Sequence, residues 1–180
     1  MKICILKEKR ANEKRVPLIP SDIKKVLDSY PLWKFYIEPS KYRIISDHEF
    51  YKVGCRKYKS QRIDLFLSIK EVSANKIISN NNYLFFSHII KGQNQNLSLL
   101  KIFFKKNASL LDYELFKNNK LEDNLSSGMN YESSKYFSSH LKMMLPKILK
   151  SLDKDSIEEY FITKKGYLNY RYLNLLNKLI

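Results

Sequence analysis

Two apolar runs, each closed by a single polar side chain able to handle a proton, constrain this chain most. The first is Asp64-Leu-Phe-Leu-Ser-Ile-Lys70. The second, after a short connector, is Tyr83-Leu-Phe-Phe-Ser-His88-Ile-Ile-Lys91-Gly92-Gln93. Runs of this length without alternation are the pattern of strands buried on both faces of a parallel sheet. In open α/β sheets ligands gather at the carboxyl ends of the strands. Lys70 and His88 are therefore expected at neighbouring strand ends, where burial lowers a lysine's pKa and histidine titrates near neutrality, a pairing suited to general acid–base work. The bland alternatives are a solvated lysine cap and a satisfied structural histidine.

The remaining grammar agrees with such a sheet. Lys2–Lys7 and Trp33–Glu38 read as strands, and Ser109–Phe116 as a fifth. Between them, Asp22–Ser29 is a helix with Ile23, Val26 and Leu27 on one face, capped by Ser21 and stopped by Pro31. Asp47 is expected to cap a short helix ending at Gly54, Glu71–Ile78 to be one short helix, and Asn94–Lys106 a helix under the sheet. After a polar stretch, Lys117–Gly128, the segment Tyr131–Lys150 is a long amphipathic helix with Phe137, Leu141, Met144 and Leu145 on one stripe and Pro146 as a possible kink. Ser156–Ile180 reads as two short helices around Lys164-Lys165-Gly166. The expected fold is α/β: a doubly wound, mainly parallel sheet of about five strands, flavodoxin- or Rossmann-like, with C-terminal helices packed back on it.

At 180 residues the chain can bury one real core. It has no run long enough to span a membrane and no secretory leader pattern at its start. Cys4 and Cys55 are its only cysteines, which excludes a disulfide framework and a cysteine metal cluster, so no metal site and a cytoplasmic setting are expected. The formal charge of +15 invites a nucleic-acid reading. The lysines are spread along the whole chain among Asn, Ile, Tyr and Phe, a mixture that an AT-rich genome produces by itself. A basic RNA-associated domain remains the third reading, and it predicts a continuous Lys/Arg face and steep salt dependence.

Five collinear pieces carry a resemblance: Glu13-Lys-Arg15-Val-Pro-Leu-Ile-Pro20, Glu38-Pro-Ser-Lys-Tyr-Arg43, Ile69-Lys70-Glu-Val72, Tyr83 to Gln93, and Leu111-Asp-Tyr-Glu-Leu115. Together they resemble the substrate domain of the alanine dehydrogenase and saccharopine dehydrogenase (lysine-forming) family, with Phe-Phe-Ser-His88 closer to the saccharopine branch. Asp123-Asn-Leu125, Tyr131–Phe137 and Ile162–Tyr172 resemble the family's return from its cofactor domain and its C-terminal end. The resemblance implies a substrate domain over 1–116, a join at 117–130 where the cofactor domain is missing, and a tail, 131–180, completing the same domain.

It also implies NAD(P)-dependent oxidation of an amino acid or saccharopine. Lys70 and His88 would be the acid–base pair, Arg15 would hold a substrate carboxylate, and Lys91 and Gln93 would contact substrate. The four glycines, Gly54, Gly92, Gly128 and Gly166, form no GxG, so this chain alone is not expected to bind NAD(P). The expected partners are an amino acid or keto acid, and either a separate protein supplying the cofactor domain or a second copy of the chain. A non-catalytic binding or regulatory remnant is the alternative. Asp112 and Tyr113 are open between core, hydrogen-bonding and substrate roles.

Overall fold

The computed structural model describes residues 1–10, 12–89, 94–115, 130–152, 161–164 and 167–168. Within them the element order is β1 (Lys2–Ile5), α1 (Pro20–Ser29), β2 (Lys34–Ile37), α2 (Asp47–Lys52), β3 (Arg56–Lys57), β4 (Leu65–Leu67), β5 (Asn82–Phe85), α3 (Asn94–Lys105), β6 (Ser109–Asp112), α4 (Tyr131–Leu152), β7 (Phe161–Lys164) and β8 (Tyr167–Leu168). The strands form one sheet in the order β3-β2-β1-β4-β5-β6-β7-β8. The six from β3 to β6 are parallel, and β7 and β8 join antiparallel. The chain builds outward from β1 to β2 and β3, then returns to the other side of β1 for β4. The sheet's direction of growth reverses there, and such a switch point opens a crevice at the carboxyl ends of β1 and β4.

Alternate side chains of each strand face opposite layers. Ile3, Ile5, Phe35, Ile37, Leu65, Leu67, Leu84 and Phe86 pack with Ile23 and Val26 of α1 and with Phe137, Leu141 and Leu145 of α4. Cys4, Tyr36, Phe66, Tyr83, Phe85 and Leu110 pack with Leu97, Leu100 and Phe103 of α3. Helices thus cover both faces, which explains why the central strands are apolar on both sides. α4 is tied to the start of the chain by hydroxyls as well as by its apolar stripe: the Val16 and Ile19 amides donate to Ser134 Oγ (3.2 Å) and Ser138 Oγ (2.9 Å). Lys142 Nζ reaches Asp22 of α1 at 2.7 Å.

The α/β class, the parallel order and the packed-back helix are as expected, and the sheet is larger than expected. Eight strands rather than about five occur among the described residues. β3 is two exposed residues and carries no apolar signal. The described parts of Ser156–Ile180 form the β7–β8 antiparallel pair and not two short helices. Smaller corrections concern caps and lengths. Ser21 caps nothing: α1 starts one residue earlier at Pro20, whose fixed φ suits the first helical position, behind Ile19. Asp47 is the first residue of α2, and its carboxylate is held by the Ser40 amide (3.0 Å) and Arg43 (2.6 Å). α2 ends at Lys52, and Gly54 follows at φ +96°, the left-handed geometry expected after a helix. Glu71–Ile78 holds only a 3-10 turn, Ala74–Lys76, and the fifth strand gives way at Tyr113–Leu115 to another.

Candidate functional site

The switch point collects charge. The chain leaving β1 brings Glu8, Arg10, Glu13 and Arg15, β4 delivers Lys70 and Glu71, β5 delivers His88, and β6 delivers Asp112 and Glu114. Register accounts for the placement: β4 and β5 pair with Leu67 opposite Leu84, so both runs end level and their next residues share one rim.

Glu8 stitches the two sides of the switch point together. Its carboxylate accepts hydrogen bonds from the Ile69 amide (2.7 Å), the Lys70 amide (3.0 Å) and Ser68 Oγ (3.1 Å). Burial pushes its pKa up to about 7, and those three donors restrain the rise. Across the same gap Arg10 pairs with Glu71 at 2.6 Å.

Lys70 and His88 meet at one aromatic ring. Lys70 Nζ stands 5.8 Å from the centroid of Phe86, and the His88 ring stacks on Phe86 at 6.3 Å. Lys70 is held below the ordinary lysine pKa, first by burial and then by the Arg15 and Arg10 cations, with Glu13 and Glu71 pulling the other way. His88 Nδ1 lies 2.8 Å from Glu114 Oε1. A carboxylate only accepts, so Nδ1 carries the hydrogen and Nε2 is left as the atom that can take or give a proton. Glu71 stands near both: burial raises its pKa, but the Arg10 hydrogen bond and charge, with a smaller contribution from His88, bring it below the usual carboxylate range.

Arg15 is buried, with its side chain 4% exposed, and its guanidinium is forked by Glu13 at 2.7 and 2.5 Å. That planar, two-point grip is the one a substrate carboxylate would use. Beside it a cavity of about 300 Å³ is lined by Glu8, Arg10, Glu13, Arg15, Tyr42 and Arg43 among others, while Lys70 and His88 lie outside its lining. Lys91 and Gln93 lie outside the described residues. The structure thus brings Lys70, His88 and Arg15 to one end of the sheet. It adds Glu8, Glu71, Asp112 and Glu114, of which the sequence had suggested only Asp112, and that without a role. No group of metal-binding side chains occurs among the described residues.

Comparisons with known proteins bear on the family and the fold. Residues 4–130 match the family described as alanine dehydrogenase/PNT, N-terminal domain. The chain belongs to that family. Its relatives include the rat protein named alpha-aminoadipic semialdehyde synthase, mitochondrial, 37% identical over 103 residues, covering 57% of this chain and 11% of the relative. The Arabidopsis thaliana alpha-aminoadipic semialdehyde synthase is 33% identical over 108 residues, covering 57% of this chain and 10% of the relative. The chain spans about a tenth of these relatives' length. Among solved structures, an L-alanine dehydrogenase superposes with a TM-score of 0.54 at 18% identity, covering 64% of this chain and 33% of that one. A transhydrogenase from Sinorhizobium meliloti superposes at 0.55 with 22% identity, covering 71% and 40%. At these identities the superpositions show the fold alone. No described helix is long and apolar enough to cross a membrane.

Proposed function

We propose that this chain is the substrate-binding half of an NAD(P)-dependent amino-acid dehydrogenase of the saccharopine type, acting on an amino acid or keto acid in a reducing, cytoplasmic setting. The observation that carries this reading is the meeting of Lys70 and His88 on Phe86, at the switch point and on the rim that also holds Arg15. Arg15 orients a carboxylate in place of Glu13. Lys70, its pKa lowered, accepts or returns a proton at the substrate nitrogen, and His88 Nε2 serves as the second proton-handling atom.

The described residues do not fit a dinucleotide. The β1–α1 connection, where a phosphate-binding turn would lie, contains no glycine. Gly54 sits behind α2, and a side chain there would meet only Leu27, at 3.9 Å. We therefore assign nucleotide binding to a cofactor domain outside these residues, and derive no hydride step here. A binding-only remnant is favoured by one observation, the Glu13 carboxylate already seated on Arg15.

Calorimetric titration with 2-oxoglutarate, pyruvate, lysine and saccharopine tests the proposal. One of them is expected to bind, and Lys70→Met and His88→Gln each to weaken it about tenfold, ~1.4 kcal/mol, while remaining folded. Equal binding by both variants and the native chain refutes the assigned roles.

A further inference from the structure

The turn that carries His88 has a feature its proton-handling role does not explain. His88 sits at φ +54°, the left-handed region that a non-glycine residue enters at a cost of about 1–2 kcal/mol. Something must hold it there. The residue before it, Ser87, is fully buried and donates to Asp112 Oδ2 twice, through its amide at 3.3 Å and through a short hydroxyl contact. Ser87 Oγ in turn accepts from the Ile89 amide at 3.2 Å, so the residues on both sides of His88 are fixed by one hydroxyl. The other oxygen of the same carboxylate, Asp112 Oδ1, accepts from the Glu114 amide at 3.0 Å. Glu114 is the residue that grips His88 Nδ1.

We propose that Asp112, acting with Ser87, is the positioning residue of His88: one buried carboxylate holds both the backbone that presents the imidazole and the glutamate that fixes which ring nitrogen is protonated. Burial pushes the Asp112 pKa up to about 6, with the nearby Glu114 charge adding to the rise and the Ser87 and Glu114 donors opposing it. The carboxylate is thus an expensive group to keep in the core unless it does something there. A purely structural Asp112 would cap the Tyr113–Leu115 turn and nothing more. The Ser87 hydroxyl distinguishes the two accounts, because it lies in β5's exit turn and contributes nothing to that cap. The proposal rests on the reading of His88 as a proton-handling residue.

The test is the imidazole ¹⁵N–¹H correlation spectrum of the full chain, with the His88 signals assigned by their loss in His88→Gln. The native chain is expected to show one Nδ1-protonated tautomer, with widely separated nitrogen shifts. Ser87→Ala and Asp112→Asn should move both shifts toward the average of two tautomers, and Ser87→Thr, which keeps the hydroxyl, should restore the native pattern. Urea unfolding of each variant separates this readout from stability, and Ser87→Ala decides the matter if Asp112→Asn fails to fold. Native nitrogen shifts in folded Ser87→Ala overturn the proposal. Averaged shifts with unaltered keto-acid affinity leave the positioning intact and count against the functional reading of His88 instead.

Discussion

The two ends of the sheet both carry cavities, and they differ in what lines them. At the amino ends of the strands, a cavity of about 420 Å³ is bordered by Met1, Arg62, Asp64, Asn80, Asn81 and Asn82 among others. At the carboxyl ends, the cavity beside Arg15 is smaller, about 300 Å³. Polar groups at the amino end tie turns together. Asp64 Oδ2 accepts from the Lys2 amide at 2.7 Å, Asn82 Nδ2 donates to the Asp64 carbonyl at 2.8 Å, and Asn107 Nδ2 donates to Asn80 Oδ1 at 2.8 Å. Those at the carboxyl end include ionisable groups partly or wholly withdrawn from water, with Glu8 and Asp112 pushed up and Lys70 pushed down. Size does not tell the ends apart, since a second carboxyl-end cavity, bordered by Pro39, Arg43 and Asp47, has about 470 Å³. Desolvated charge, which costs free energy to maintain, marks the end to which the proposed chemistry is assigned.

The contrast breaks most visibly at Arg15. Arg15→Ala leaves the Glu13 carboxylate, 1% exposed, without its cation, and should cost about 3–5 kcal/mol in urea unfolding. Arg15→Met combined with Glu13→Leu should recover most of that loss while abolishing keto-acid binding, separating the stability of the pair from its use.

Next comes the pH dependence set by Glu8. Its folded pKa of about 7 lies above the ordinary 4.5, so between those values the native state holds more protons than the unfolded chain. Stability from this group is therefore complete below pH 4.5 and is lost as pH rises through 7, by about 3 kcal/mol. Asp112 acts in the same direction up to about pH 6. Asp22, whose burial is outweighed by Lys142 and Ser138, and Glu71 have lowered pKa values and lose their contribution on strong acidification. Maximum stability is expected at about pH 5. Chemical unfolding across pH should show the decline in the native chain and a flatter profile in Glu8→Gln.

The smallest effect is expected at the amino end. Asn82→Ala removes one hydrogen bond to the Asp64 carbonyl and should cost about 1 kcal/mol, read by urea unfolding, with ligand affinity unchanged.

How much of this could be read from the sequence divides along similar lines. The central strands were legible because Ile3–Ile5, Phe35–Ile37, Leu65–Leu67 and Leu110–Leu111 are buried on both sides and must be apolar. β3, Arg56–Lys57, was not, since two exposed residues carry no pattern. Phe161–Lys164 was misread because four residues do not separate a strand from a fragment of helix by periodicity. Lys70 and His88 could be found as the polar ends of apolar runs. Glu8 could not, because its role depends on reaching Ile69 and Lys70, 61 and 62 residues away, a contact that only the strand order creates. The same holds for Glu114, which is selected from the chain's 18 acidic residues only when β6 is laid beside β5.

The most direct test is to map amide and imidazole shift changes while titrating the bound keto or amino acid into the full chain. Binding at the carboxyl ends predicts perturbations clustered at Glu8–Arg10, Glu13–Arg15, Ile69–Glu71 and Phe86–His88, with Arg62–Asp64 and Ser79–Asn82 unmoved. Perturbations centred on Asp64 and Asn80–Asn82, or none at any ligand concentration, would contradict it.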